Sequence, residues 1–224
     1  MRWIIGDASL TAIRNTDPHI AQEFFNQVGC FVIGPRVPVG WQASPLLNFT
    51  SYETFAANKA LATQWVQYDI EKWSLTPALE QQHPTAFMSA FVTLAHSQQQ
   101  QCVLNPARDL MAVAGADCIQ GPSETTDAAY LRCCIPKAAV TADIFVCQSQ
   151  ADQSDIHSYM SLLTGSKAQT GAIPFFGGLT TLRGNPVSEL VAAYEAAETT
   201  VDGFVLNTNP ATIQVACDFL AQIG

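Results

Sequence analysis

Trp65-Val66-Gln67-Tyr68-Asp69-Ile70-Glu71-Lys72-Trp73 is the stretch whose pattern decides the fold. Side chains alternate along a strand, so Val66, Tyr68 and Ile70 share one face and Gln67, Asp69 and Glu71 the other. The first face suits packing beneath helices, and the second points into the interior of a barrel. Two carboxylates there are costly unless they are paired, hydrogen-bonded or reached by solvent. At the C-terminal end of a strand they meet the mouth, with α-carbons about 6.6 Å apart at roughly 3.3 Å per residue.

Outward from this strand the same grammar recurs. Short runs rich in Val, Ile and Phe predict further strands near 3–7, 30–34, 101–105, 143–149, 173–180 and 202–207, beside the quoted one at 65–71. Their spacing is that of βα units. Asp17-Pro18, Asn185-Pro186 and Asn209-Pro210 each set an N-cap residue before proline at the first helical position. Ile20, Ala21, Phe24, Phe25 and Val28 form one face of a helix, and Phe87, Met88, Phe91, Val92 and Ala95 form another. Seven or eight parallel strands predict a short TIM-type (β/α) barrel, a single domain over residues 1–224. An open doubly wound sheet is the alternative. Residues 116–120 are the candidate for an eighth strand. Two long connections, 35–50 and 106–122, fall on the face where barrels build their sites.

Composition narrows the function classes. Charged residues make up 13% of the 224, against roughly 25% in an ordinary domain, and the net charge is −9. A surface so poor in charge suits a homo-oligomer or a coat of Gln, Thr, Ser and Ala. The ten Lys and Arg residues form no basic stripe, which argues against nucleic acid and against an anionic membrane surface. No apolar run approaches the roughly 20 residues of a membrane span. Met1-Arg2-Trp3-Ile4-Ile5-Gly6-Asp7 lacks a signal-peptide layout, predicting a cytoplasmic location. The seven cysteines show no CxxC spacing and sit mostly in apolar runs. They are expected to be free, with Cys133-Cys134 inside a helix.

The strand ends carry the candidate chemistry. Crowding two carboxylates raises the pKa of one, so Glu71, nearer the mouth, is the expected catalytic acid/base and Asp69 its orienting partner. Pairing with Lys72, Arg36 or Arg108 would give them a structural role instead. Asp7, Asn105, Asp109, Gln148, Gln150, Thr180 and Asn207 are candidate substrate contacts, with Trp41 and Trp73 as aromatic platforms. By parity Tyr68 faces the helices. A mouth of carboxylates and amides suits a neutral, hydroxyl-rich small molecule. No P-loop or GxGxxG is present. His19, His83, His96 and His157 lack metal-ligand spacing, and no Lys stands clearly at an inward strand end for a Schiff base. No metal and no cofactor is expected, although a divalent ion on Asp69, Glu71 and Asp109 is chemically conceivable.

Tyr68-Asp69-Ile70-Glu71-Lys72-Trp73, followed by Leu75-Thr76-Pro77, resembles bacterial TIM-barrel proteins of uncharacterised activity that carry Y-D-x-E-x-W and then T-P. Gln148-Ser149-Gln150, Gly178-Leu179-Thr180-Thr181 and Val201-Asp202-Gly203-Phe204 extend that resemblance over most of the chain. Asp69-x-Glu71 is also distantly similar to the chitinase-like glycoside hydrolases. That likeness implies Glu71 as proton donor to the leaving oxygen and Asp69 as the group steadying a substrate acetamide. The longer acidic run of that family is replaced here by Gln64-Trp65-Val66-Gln67-Tyr68. The expected function is acid/base catalysis on a polar, uncharged, sugar-like molecule, as in a glycoside hydrolase. The alternatives are a barrel lyase, cyclase or isomerase, favoured by an apolar mouth of Trp41, Leu46, Leu47 and Phe49, or a non-catalytic ligand-binding protein.

Overall fold

The buried, β-branched and aromatic runs of the sequence do form parallel strands, as strands covered by helices require. The computed structural model describes residues 1–58 and 63–224. Its strands are β1 (Arg2–Gly6), β2 (Phe31–Ile33), β3 (Ser44–Phe49), β4 (Trp65–Tyr68), β5 (Gln101–Leu104), β6 (Ile144–Cys147), β7 (Phe175–Thr180) and β8 (Gly203–Asn207). They follow one another in chain order as a closed barrel. β1 pairs in parallel with both β2 and β8. The expected (β/α) barrel is therefore the observed fold, with eight strands.

Two strand expectations need correction. Residues 116–120 are not a strand; the eighth strand is β3, inside what read as a long connection over 35–50. Ser44-Pro45-Leu46-Leu47-Asn48-Phe49 hides its nature because proline donates no ladder hydrogen bond and Asn is a poor strand former. The register nevertheless sets Val32 opposite Pro45 and Ile33 opposite Leu46.

Helices α1 (Asp7–Thr16), α2 (Pro18–Phe25), α3 (Tyr52–Ala57), α4 (Ala78–Gln82), α5 (Pro84–Ser97), α6 (Thr126–Arg132), α7 (Ile156–Thr170), α8 (Val187–Ala197) and α9 (Ile213–Ile223) connect the strands. The Asp17 side chain caps α2 by accepting from the backbone N–H groups of His19 and Ile20. Short 3-10 helices run over Arg108–Ala112 and Pro136–Ala139. Among the described residues no helix is long and apolar enough to cross a membrane.

The chain separates into two compact units. One comprises Met1–Leu46, Ser149–Leu163 and Phe176–Gly224, the other Leu47–Gln148 and Thr164–Phe175. The first is organised around Trp3, whose indole meets the rings of Phe24, Phe25, Tyr194, Phe204 and Phe219. The second is organised around Phe91. Tyr68 stacks on it at 4.7 Å and Phe55 at 4.2 Å, and Phe49 packs against both Phe55 and Phe91.

The cysteine expectation fails at one place. Cys118 and Cys133 form a disulfide, with α-carbons 5.8 Å apart. Cys133 is not inside a helix: α6 ends at Arg132, and Cys134 takes the left-handed conformation at φ 55°. That turn leaves Cys133 at the helix end, within reach of the connection that follows β5. Such bonds persist in oxidising surroundings. With a sequence separation of 15, loop-closure entropy gives a contribution of about 3 kcal/mol. Cys118→Ser is thus expected to lower the unfolding midpoint by roughly 6–12 °C, measured by calorimetry. An unchanged midpoint would mean that the Arg132 contacts alone hold this connection.

Candidate active site

Four consecutive strands of the second unit deliver one polar side chain each to a common point. Asn48 comes from β3, Asp69 follows β4, Asn105 follows β5 and Gln148 follows β6. The Asp69 backbone extends the β4 ladder, its N–H bonding the Phe49 carbonyl at 2.8 Å. On the other side the N–H groups of Asn105 and Ala107 bond the carbonyls of Tyr68 and Ile70, each at 2.9 Å. The strand is clamped on both edges up to Ile70, so the acidic pair stands on a fixed backbone.

The amides converge on Asp69. Asn105 Nδ2 donates to Asp69 Oδ1 at 2.8 Å, Gln148 Nε2 to the same oxygen at 3.2 Å, and Asn48 Nδ2 to Oδ2 at 3.3 Å. Gln148 Nε2 also lies 3.1 Å from Glu71 Oε1, which ties the two carboxylates to one donor. Gln67 sits one pleat behind and donates to Asn48 Oδ1 at 2.9 Å. The parity of β4 is thus realised: Gln67, Asp69 and Glu71 share one network. Tyr68 lies on the opposite face, fully buried, and donates to Glu80.

Electrostatics distinguishes the two acids. Burial, followed by the charge of Glu71, pushes Asp69 up to about 7, against the opposing pull of the Asn48 and Asn105 amides. Burial also raises Glu71, with Asp109 adding to the effect and Gln148 and Asp69 opposing it. The acids act on each other as well: Glu71 raises Asp69, and Asp69 lowers Glu71. Asp69 is thus an acid whose proton is held toward neutrality. Among the described residues no Lys or Arg forms an ion pair with either acid. Arg108 pairs with Asp127, and Asp109 accepts from the Lys72 backbone at 3.0 Å.

Glu71 is held from the loop side too. Its N–H bonds Thr76 Oγ1 at 3.4 Å, and the same oxygen accepts the Trp73 indole N–H at 2.7 Å. Thr76 in turn donates to the Thr50 carbonyl at 2.9 Å, and Gln81 Nε2 donates to the carbonyls of Trp73 and Thr76, both at 2.7 Å. Trp73 is half-buried, with its polar edge committed to this loop.

Of the residues expected at the site, Asp69, Glu71, Trp73, Asn105, Asp109 and Gln148 belong to this one unit. Asp7, Trp41, Gln150, Thr180 and Asn207 belong to the other. There Asp7 opens α1, is exposed and bonds the Ala8 N–H at 2.6 Å. Trp41 carries the Arg14 guanidinium over its ring at 5.5 Å. Thr180 donates to the Asn207 carbonyl at 3.2 Å, which closes the ends of β7 and β8. Gln150 Oε1 is buried without a hydrogen-bond partner. Phe49, expected in an apolar mouth, packs instead on Phe55 and Phe91, and Leu46 is fully buried.

Sequence reasoning missed Asn48, because β3 went unrecognised, and did not name Gln67, Thr76, Glu80 and Gln81 as supports. Two acceptors of the network, Gln67 Oε1 and Asn105 Oδ1, are buried without a hydrogen-bond partner. Among the described residues no three His, Cys, Asp or Glu side chains gather closely enough to hold a metal ion, so Asp69, Glu71 and Asp109 are not a ligand set.

The class defined by this architecture is the (β/α)8 barrel. Among solved structures the chain is similar to one described as a GH113 beta-1,4-mannanase, at 10% identity over 92% of this chain and 87% of that one, with a TM-score of 0.32. A likeness so remote carries no inference about this chain, whose fold rests on its own strand pairing. No family model matches the chain, and no curated protein does.

Proposed function

We propose that the chain is an acid/base enzyme acting on a polar, uncharged, hydroxyl-bearing small molecule, most simply as a glycoside-hydrolase-like hydrolase. One observation carries the reading: Asp69 and Glu71 stand together inside a cradle of neutral amides, with no cation among the described residues paired to either. A structural ion pair would have an Arg or Lys beside it. A carboxyl poised near neutrality is what proton transfer at working pH needs. Glu71, the less buried acid, exchanges a proton with the substrate. Asp69 orients it and returns the proton. The unpartnered carbonyl oxygens of Gln67 and Asn105 suit ligand O–H donors, since a buried acceptor left unmade costs about 1–3 kcal/mol.

A screen of chromogenic glycosides and small polyol metabolites, run on wild type beside Glu71→Gln, tests this. The expected result is turnover by wild type that falls by roughly 10²–10⁴ in the folded variant. Equal turnover in both would remove Glu71 from the chemistry. A lyase or isomerase would instead release product without incorporating oxygen from labelled water.

A further inference from the structure

The connection after β5 is tied to α6 by more than its disulfide. The Arg132 guanidinium donates to Cys118 Sγ at 3.2 Å, to the Ile119 carbonyl at 2.8 Å, and to both carboxylate oxygens of Glu124 at 2.8 Å. Glu124 also accepts from the Gly121 N–H at 3.0 Å. Cys118 and Cys133 are both partly open to solvent, and Cys134 is an exposed thiol. The remaining free cysteines, Cys30, Cys102, Cys147 and Cys217, are buried. A pocket of about 290 Å³ opens on the same connection, lined by Met111, Val113, Gln120 and Ile119, the residue after Cys118.

The two sulfurs are therefore unequal. A hydrogen bond from a guanidinium stabilises negative charge on Cys118 and on no other sulfur of the cluster. In thiol–disulfide exchange the sulfur that better bears charge is the better leaving group. We propose that the Cys118–Cys133 bond is a thiol-exchange site, at which a small-molecule thiolate attacks Cys133 and expels Cys118 onto Arg132. The attacking sulfur bonds to Cys133 Sγ, the Cys118–Cys133 bond breaks, and its electron pair leaves on Cys118 Sγ. A second thiolate then attacks the mixed disulfide and releases Cys133 as a thiolate. Two external thiols are thereby oxidised to one disulfide as the protein bond is reduced. The connection is unstapled from α6 by this reaction, while the Arg132–Glu124 contacts still guide it back.

The test uses full-length oxidised protein carrying Cys134→Ser, exposed briefly to reduced glutathione and quenched with iodoacetamide. Peptide mass spectrometry is expected to find glutathione on Cys133 and the alkyl group on Cys118. Arg132→Ala is expected to slow the first step by roughly tenfold. Glu124→Gln, which leaves the guanidinium charge uncompensated, is expected to speed it. A merely loosened connection would speed exchange in both variants, so the opposite signs separate the two explanations. Glutathione on Cys118, absence of the Cys118–Cys133 peptide before reduction, no exchange by the folded protein, or an unchanged or faster rate in Arg132→Ala each overturns the proposal.

Discussion

Asp69→Asn is expected to remove an ionisation near pH 7 from the pH–rate profile and to lower kcat/KM by roughly 10²–10⁴. It is also expected to change stability in a way that needs no substrate. In the folded chain Asp69 keeps its proton up to about pH 7, whereas its ordinary value is 3.8. Between those values the folded state binds one proton more than the unfolded state. Stability therefore falls as pH rises through that window and levels off above it. The displacement corresponds to at most on the order of 4 kcal/mol, reduced where Asn105, Gln148 and Asn48 compensate the charge. Asn cannot ionise, so the variant should lose the slope and exceed wild type in stability at pH 8, with little difference at pH 4. Urea denaturation at the two pH values measures this. An equal slope in both proteins would mean that Asp69 is already ionised in the folded chain, and the assignment of a raised pKa to it would fail.

A gain in stability on removing an acid is the signature of a group kept for something other than folding. Sequence could see that far for a definite reason. The period of two along Trp65–Glu71 depends only on backbone geometry, so it placed Tyr68 against the helices and Asp69 with Glu71 opposite. It could not say which acid holds the proton, because that depends on burial depth and on amides from β3, β5 and β6. Asn105 and Gln148 were visible as polar residues at strand ends. Asn48 was not, because Pro45 and Asn48 itself broke the apolar run that marks a strand. The Cys118–Cys133 bond escaped for a similar reason: whether Cys133 lies inside α6 or just past its end turns on the left-handed residue Cys134. Nothing in Leu131-Arg132-Cys133-Cys134 announces that conformation. Periodic signals survive without tertiary context, and single-residue departures from them do not.

Glu80→Ala is the substitution expected to cost most in stability, about 3–5 kcal/mol. Glu80 is 2% exposed, yet no Lys or Arg among the described residues pairs with it. Its charge is met by donors alone. Oε1 accepts from Ser51 Oγ at 3.0 Å and the Glu53 N–H at 3.4 Å, while Oε2 accepts from the Tyr52 N–H at 2.8 Å and Tyr68 Oη at 2.5 Å. Two of these donors are backbone groups in the first turn of α3, where a negative charge is favoured by the helix dipole. The Tyr68 hydroxyl stays protonated, its pKa raised by burial first and by Glu80 second. Alanine would strand these donors in a dry interior and leave a void between α3, α4 and β4. Gln should cost less, about 1–2 kcal/mol. Its carbonyl can keep the Tyr52 N–H, and the Ser51 hydroxyl can rotate to accept from its amide. The backbone of Asp69 is held by β3 and β5 independently of Glu80, so Glu80→Gln should leave the stability slope between pH 4 and 7 unchanged. Equilibrium unfolding of the two variants at pH 7 checks the ranking. A Glu80→Ala protein within about 0.5 kcal/mol of wild type would mean that water replaces the carboxylate. The join between α3 and β4 would then be wet rather than sealed.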